Sequence, residues 1–264
     1  MVDFNRKESY NVQDLVEIMK LLRAPGGCPW DASQTHESIK KDLIEETYEV
    51  IEAINKNDKV LLCEELGDLL MQVVFHAQME AEAEVFDFDT VADGICKKLI
   101  ERHPHVFGDV SVSDVDDVLT NWDAIKRRTK NQKTTTESML SVPRELPALM
   151  RATKLQKKAA GIGFDWSDVS GALDKLEEEI AELRQAISNS DKENTVEELG
   201  DVLFSAVNVS RFIKADAEEA LTFASDKFLS RFTVVEELAA ERGIDMKSAG
   251  IDELDKLWDE AKSK

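Results

Sequence analysis

The chain has 264 residues, enough to bury a sizeable core in one large domain or two ordinary ones. Its 54 acidic and 33 basic residues give a formal net charge of −21 at pH 7. That charge repels nucleic-acid phosphates and argues against a nucleic-acid partner. The three sparse cysteines and the absence of a signal-like or long apolar segment predict a cytoplasmic protein outside the membrane.

Five prolines, eleven glycines and little polar–apolar alternation predict a mostly helical chain in which no strand is needed. Asn11 can cap the first helix, and the Pro- and Gly-rich residues 24–31 predict a turn after it. The helices expected in the first half span residues 12–23, 38–55, 59–83, 90–102 and 121–128. Those expected in the second half span residues 146–160, 169–188, 192–213, 217–242 and 251–261. The expected fold is all-α, a tandem pair of small helical bundles.

One acidic pattern occurs in both halves, and a single offset of 133 residues (178 − 45) superimposes its two copies without a gap. The offset maps Glu45, Glu46, Glu49, Glu65 and Asp68 onto Glu178, Glu179, Glu182, Glu198 and Asp201. This repeat, with the polar residues between the halves, predicts an N-terminal domain over 1–130, a linker over 131–144 and a C-terminal domain over 145–264.

The spacing of these acids favours a metal site. Residues three apart on a helix share one face, as Glu46 and Glu49 do, and as Glu65 and Asp68 do. The short connection at 55–58 predicts antiparallel helices, which would bring the four carboxylates together. Such a cluster repels itself unless a hard divalent cation is bound, and Mg²⁺ fits best because it binds carboxylates, water and phosphates.

A solvated acidic face is the alternative interpretation, because most Glu-rich helical segments are of that kind. Two observations favour the metal site: the acids border apolar residues such as Leu66 and Leu69, and the two copies agree best at the acids. Neither a Ser/His/Asp arrangement nor a Gly-rich phosphate loop is evident in the sequence. Attack by metal-activated water is therefore the simplest chemistry.

The acidic pattern resembles that of the MazG family of all-α nucleoside triphosphate pyrophosphohydrolases. The segments 27–31 (Gly-Cys-Pro-Trp-Asp), 101–107 (Glu-Arg-His-Pro-His-Val-Phe) and 163–166 (Gly-Phe-Asp-Trp) also resemble the family's two-domain members. The similarity covers nearly the whole chain. It implies Mg²⁺-dependent cleavage of NTPs and dNTPs between the α- and β-phosphates, to monophosphate and pyrophosphate, with Mn²⁺ as a possible substitute. It also implies nucleotide-pool housekeeping and a homodimer.

The resemblance implies roles for the repeated acids. The implied metal ligands are Glu179, Glu182, Glu198 and Asp201, and in the first half Glu46, Glu49, Glu65 and Asp68. Glu178 or Glu197, with Glu45 or Glu64 as first-half counterparts, is a candidate base or ligand of a second ion. A solvent-facing role is equally open for each of these four.

The resemblance also places cations and an aromatic residue on the substrate. Lys175, Lys227 and Arg231 are implied triphosphate contacts, and Trp258 an implied base contact. The weaker first-half analogues are Lys98, Arg102 and Trp122. Surface ion pairs, or a core or dimer contact for Trp258, are the alternatives. Because Asp42 stands where the second half has Lys175, the second half is expected to be the main hydrolytic site, and the first half weaker, regulatory or structural.

Two other functions compete with this one. A narrower dUTP or dCTP pyrophosphatase would share the acidic motif, whereas the two-domain length and the segments 28–31 and 103–105 favour the broader enzyme. A helical scaffold or regulator could bind nucleotide through its acidic faces without hydrolysis. The expected partners are nucleoside triphosphates and a second copy of the chain.

Overall fold

The computed structural model describes residues 4–110 and 134–263, together with residues 112, 114, 118, 122 and 125 between them. The chain divides into two compact units, Met1–Lys126 and Arg127–Lys264. All regular elements in the described ranges are helices, which confirms the all-α prediction. None of these helices is long and apolar enough to cross a membrane.

The first unit contains four longer helices that confirm predicted ones, with ends within two residues of those expected. Two short helices, α2 and α6, were not predicted; each begins with a proline, whose fixed φ suits the first helical position. The predicted helix at 121–128 lies outside the described residues, except for residues 122 and 125. The helices are α1 (Val12–Arg23), α2 (Pro29–Ser33), α3 (Lys40–Asn55), α4 (Lys59–Glu82), α5 (Phe88–Arg102) and α6 (Pro104–Phe107).

The second unit contains five predicted helices and one that was missed. The missed helix, α7, lies inside the predicted linker at 131–144, is capped reciprocally by Thr134 and Glu137, and packs against α8. The domain boundaries themselves stay a prediction. The helices are α7 (Thr135–Leu140), α8 (Ala148–Ala160), α9 (Val169–Ser188), α10 (Lys192–Phe212), α11 (Ala217–Glu241) and α12 (Ile251–Ala261).

In each unit the acidic segments form a helical hairpin, α3 with α4 and α9 with α10. Three residues connect the helices of each hairpin. In both connections one residue adopts the left-handed conformation, Asn57 with φ 53° and Ser190 with φ 58°, and the two are 133 residues apart. Asp58 and Asp191 follow them and cap the next helix through their side chains. The two hairpins therefore reverse the chain through the same turn conformation, a left-handed residue followed by a capping aspartate.

Each unit has its own buried cluster. In the first unit, Met19 of α1 packs with Ile39 at the start of α3 and with residues of α4, including Phe75. In the second unit, Leu238 of α11 packs against Leu257 of α12. Both acidic hairpins carry exposed apolar residues, so part of their apolar surface faces away from these clusters.

An ion pair between Arg23 and Glu82 lies beside the buried cluster of the first unit. The Arg23 side chain is only 7% exposed; its Nε and Nη2 donate to the two carboxylate oxygens of Glu82 over 2.8 and 2.9 Å. Its Nη1 donates to the carbonyl oxygen of Asp31 over 2.6 Å, and its guanidinium lies 5.3 Å from the ring centre of Phe75. Arg23 therefore joins α1, the segment after it and α4.

Replacing Arg23 should loosen the first unit, because the Arg23 side chain is itself buried at 7% exposure and the Glu82 carboxylate and Asp31 carbonyl would lose their donor. We expect Arg23→Met to lower the free energy of unfolding of that unit by about 2–4 kcal/mol. Hydrogen exchange of the α4 amides measures this loss locally. The control is Lys56→Met, since the Lys56–Glu52 pair is 58% and 55% exposed and such pairs contribute less than about 1 kcal/mol. Equal losses from the two variants would contradict the assignment.

Candidate metal and substrate site

The structure brings three acids of the second unit together. One carboxylate oxygen from each of Glu179, Glu182 and Glu198 lies within 4.8 Å of the other two. Glu179 is buried at 5% exposure, whereas Glu182 is exposed. Two of these acids come from one face of α9 and the third from α10, an arrangement that the hairpin prediction requires. Three hard oxygen donors at this separation suit a small divalent cation.

The first unit repeats the arrangement. Glu46 and Glu49 of α3 and Glu65 of α4 place one oxygen each within 4.8 Å of one another, and all three side chains are half-buried. The grouping therefore occurs in both units, with the same three positions of the pattern.

The fourth acid of each copy lies outside these groups. Asp68 is half-buried and close enough for its charge to act on Glu46, whereas Asp201 is exposed. The candidate bases Glu178 and Glu197, and their counterparts Glu45 and Glu64, are exposed.

Crowding changes the proton affinity of these acids. Burial, and then the charges of Asp68 and Glu49, raise the pKa of Glu46 above its usual value. Burial, and then the charge of Glu49, likewise raise the pKa of Glu65. In the second unit, the hydrogen bond with Glu179 and then burial raise the pKa of Glu182. Without a cation, both clusters therefore hold protons more tightly than ordinary carboxylates.

Lys175 distinguishes the two units. Its Nζ lies 2.7 Å from Glu179 Oε1 and 2.9 Å from Glu178 Oε1. The hydrogen bond to Glu179 and then that to Glu178 raise the pKa of Lys175, so the ammonium stays charged. The first unit has Asp42 at this position. Only the second cluster thus carries a lysine at this point, and its ammonium is paired with the buried Glu179.

The other predicted substrate contacts form a separate group on α11 and α12. The Trp258 ring lies 5.2 Å from the ring of Phe228, which follows Lys227 directly, and Trp258 packs against the buried cluster of α11 and α12. Arg231 lies one turn after Lys227 and is half-buried. Within the described residues, no hydrogen bond or ion pair joins this group to the three acids.

The first-half analogues are also partly brought together. The Arg102 guanidinium lies 4.9 Å from the ring centre of Trp122, a cation–π contact, whereas Lys98 is exposed. The structure therefore pairs the cation and aromatic residue that the sequence suggested for this unit.

Sequence analysis missed a histidine pair. His36 and His76 stack with ring centres 4.9 Å apart, their Nδ1 atoms are 2.6 Å apart, and His36 Nε2 lies 2.6 Å from Glu80 Oε1. Forty residues separate the two histidines in the chain, so no local spacing could have indicated the contact.

The helical hairpins define a tandem all-α protein with one carboxylate cluster in each unit. The chain matches the MazG nucleotide pyrophosphohydrolase domain over residues 34–107 and again over 169–235, the two segments that contain the clusters.

Full-length similarity agrees with this match. The chain is 44% identical over 256 residues to the nucleoside triphosphate pyrophosphohydrolase of Escherichia coli (strain K12), covering 95% of this chain and 97% of that protein. It is 44% identical over 250 residues to the nucleoside triphosphate pyrophosphohydrolase/pyrophosphatase MazG of Thermotoga maritima, covering 95% of each. It is 50% identical over 248 residues to the uncharacterized protein YabN of Bacillus subtilis, of which it spans half the length. The chain belongs to the MazG family of nucleotide pyrophosphohydrolases, a family of hydrolases.

The raised pKa values predict how the first cluster affects stability. Because the folded state binds these protons more tightly than the unfolded state, the stability of the metal-free protein should fall as pH rises through the raised pKa. We expect Glu46→Gln to raise the melting temperature of the EDTA-treated protein at pH 7 by a few degrees. The gain should vanish at a pH low enough to protonate Glu46 in both states. Calorimetry at both pH values checks this, with the exposed Glu45→Gln as control. A lower melting temperature for Glu46→Gln at pH 7 would refute the repulsion.

Proposed function

We propose that the chain hydrolyses nucleoside triphosphates, both NTPs and dNTPs, between the α- and β-phosphates in a reaction that depends on Mg²⁺. The observation that carries the proposal is the cluster of Glu179, Glu182 and Glu198 with the Lys175 ammonium beside it. A triphosphate approaching a protein of charge −21 needs positive charge at its binding site, and this cluster can hold a cation. The proposed physiological role is nucleotide-pool housekeeping.

The proposed reaction needs a divalent cation, a water molecule and a proton acceptor. Glu179, Glu182 and Glu198 would hold Mg²⁺, with the exposed Asp201 as a further candidate ligand. Bound Mg²⁺ supplies charge neutralisation and lowers the pKa of water. Water adds to phosphorus at the α–β anhydride, the bridging P–O bond breaks, and monophosphate and pyrophosphate form. Glu178 and Glu197 are the candidate acceptors of the proton that the water loses.

Lys175 is the proposed phosphate contact nearest the cluster. Its ammonium lies 2.7 Å from Glu179, so it would supply a positive charge to a triphosphate that binds beside the cluster. Lys227, Arg231 and Trp258 are proposed as further contacts with the triphosphate and base. The first unit lacks the lysine, which supports the second unit as the main hydrolytic site.

The names of the relatives support a broad triphosphate substrate. The proteins from Escherichia coli and Thermotoga maritima are called nucleoside triphosphate pyrophosphohydrolases, without one base in the name. A narrower dUTP or dCTP pyrophosphatase is the enzymatic alternative, and a nucleotide-binding regulator the non-enzymatic one.

Assembly and location are also proposals. Val196, Leu199 and Leu203 on α10 are 71%, 48% and 51% exposed, and a second copy of the chain would cover such a surface in a homodimer. The free cysteines support a reducing, cytoplasmic location. Light scattering measures the mass and decides between monomer and dimer.

Product analysis tests the reaction. With each NTP and dNTP in the presence of Mg²⁺, we expect monophosphate and pyrophosphate, and with EDTA no turnover. Mn²⁺ should restore activity, because it shares the preference of Mg²⁺ for oxygen ligands. Diphosphate and orthophosphate would refute α–β cleavage. Turnover of only dUTP or dCTP would favour the narrower enzyme, and no turnover of any nucleotide the regulator.

Matched substitutions test the division between the units. Glu182→Gln should lower kcat/KM at least about 100-fold, because it removes a charged ligand of the proposed cation. Glu49→Gln, at the same position of the first copy, should have a much smaller effect. Circular dichroism should show unchanged helix content for both variants. Equal losses of activity would contradict the assignment of the main site to the second unit.

A further inference from the structure

The ammonium group of Lys175 contacts the same carboxylate that the proposed cation would use. Lys175 lies one turn before Glu179 on α9, and its Nζ is 2.7 Å from Glu179 Oε1. An oxygen of Glu179 also lies within 4.8 Å of oxygens of Glu182 and Glu198. A divalent cation held by these three acids would therefore be bound close to a positive charge that the protein itself supplies.

The charge of Lys175 also acts on a second acid of the cluster. The hydrogen bond with Glu179 is the main cause of the raised pKa of Glu182, and the Lys175 ammonium acts in the opposite direction, towards a lower pKa. The ammonium itself stays charged, because its hydrogen bonds to Glu179 and then Glu178 raise the pKa of Lys175. Positive charge at this point favours the ionised carboxylates, and for the same reason it opposes a second cation beside them.

Burial makes a positive partner necessary for Glu179. Its side chain is 7% exposed, and an ionised carboxylate that is removed from water is strongly destabilised unless a cation or a hydrogen-bond donor compensates it. Lys175 provides this compensation in the structure, and a divalent cation would provide it in the loaded site. The lysine and the cation therefore neutralise the same buried group.

The lysine can leave this contact without disturbing buried residues. Its side chain is 36% exposed, and that of its second partner, Glu178, is 57% exposed. Lysine carries its ammonium and three donors on a flexible four-carbon stem, so the group can exchange one oxygen acceptor for another. A triphosphate bound beside the cluster offers such acceptors. Its negative charge would also offset the repulsion between the ammonium and the cation.

The first unit has the opposite charge at the matching position. Asp42 lies one turn before Glu46 on α3 and is half-buried. The two clusters have the same three acidic positions, but the charge at this further position changes from −1 in the first unit to +1 in the second. The chain therefore contains its own comparison for the effect of the lysine on cation binding.

We propose that Lys175 is the counter-ion of the second cluster in the resting protein, that it weakens the binding of a free divalent cation there, and that it turns to the triphosphate when cation and nucleotide bind together. This inference rests on the proposed function and deepens it, because the second unit would recognise the cation–triphosphate complex rather than the free cation. The first cluster, with Asp42, should instead hold a cation in the absence of nucleotide. Because coupling between two ligands is reciprocal, the nucleotide should also bind more tightly when the cation is present.

Titration with Mn²⁺ in the absence of nucleotide tests the resting state, and electron paramagnetic resonance measures the free ion. Two backgrounds of the full chain isolate one cluster each: Glu46→Gln/Glu49→Gln leaves the second cluster, and Glu179→Gln/Glu182→Gln leaves the first. We expect the first cluster to bind Mn²⁺ about tenfold more tightly than the second, which is within the usual range of coupling between two sites. Equal binding, or tighter binding by the second cluster, would overturn the proposal.

Charge substitutions assign the difference to this position. In the background that leaves the second cluster, Lys175→Met should strengthen Mn²⁺ binding about tenfold, whereas Lys175→Arg keeps the charge and should leave the binding weak. In the other background, Asp42→Lys should weaken Mn²⁺ binding by a similar factor. The control is Lys262→Met, because Lys262 also pairs with an acid three residues earlier, Asp259, but on α12; it should change neither affinity.

Circular dichroism confirms that each of these variants folds. If Lys175→Met leaves Mn²⁺ binding unchanged, the lysine forms an ordinary ion pair along the helix and the proposal is overturned.

A nucleotide analogue tests the exchange of partners. An α,β-methylene triphosphate has a carbon bridge between those two phosphates, so its binding is measured without turnover. In the background that leaves the second cluster, the analogue should strengthen Mn²⁺ binding at least about tenfold, and Lys175→Met should reduce this enhancement. An enhancement of equal size with and without the lysine would overturn the proposal.

Product analysis separates this inference from the proposed function. If the chain releases pyrophosphate but Lys175→Met leaves Mn²⁺ binding unchanged, the reaction stands and the counter-ion role is wrong. If the Mn²⁺ affinities change as expected but no nucleotide is hydrolysed, the counter-ion role stands and the reaction is wrong.

Discussion

The structure depends on holding like charges close together at the crossing of two helices. Three carboxylates meet within 4.8 Å in each unit, partly removed from water. The pKa values of Glu46, Glu65 and Glu182 are raised, because the ionised forms of these crowded carboxylates are destabilised. A surface cluster could spread apart, but these acids are fixed by helices that pack along their length. The hairpins therefore maintain an electrostatic strain that a divalent cation would relieve.

The two units differ in the charge that lies beside the carboxylate cluster. In the second, the Lys175 ammonium offsets the charge of a buried glutamate; in the first, an aspartate stands at that position. A second difference lies on the second helix of each hairpin, where Phe75 of α4 is 4% exposed and Asn208 stands at the corresponding position of α10. In the first unit, Arg23 joins α1 to the segment after it and to α4.

The sequence was sufficient to predict the long helices and the clustering of acids, because both depend on the spacing of residues along a helix. It predicted α1, α9 and α12 residue for residue. It missed α2, α6 and α7, which are too short to show a period. The contact between His36 and His76 was also missed. This contact joins residues 40 positions apart in the chain, and one sequence does not show which distant side chains meet. The roles of the site residues stay predictions.

The left-handed residues in the two hairpin connections have a consequence for how this chain can evolve. A helix turns by about 100° per residue, so one inserted or deleted residue at 56–58 or 189–191 would rotate the following acids away from their partners. Surface loops ordinarily tolerate changes of length. Here the connection sets the register of the carboxylates, so it should accept substitutions that allow the left-handed turn and reject changes in its length. Insertions and deletions in this family are therefore expected elsewhere in the chain.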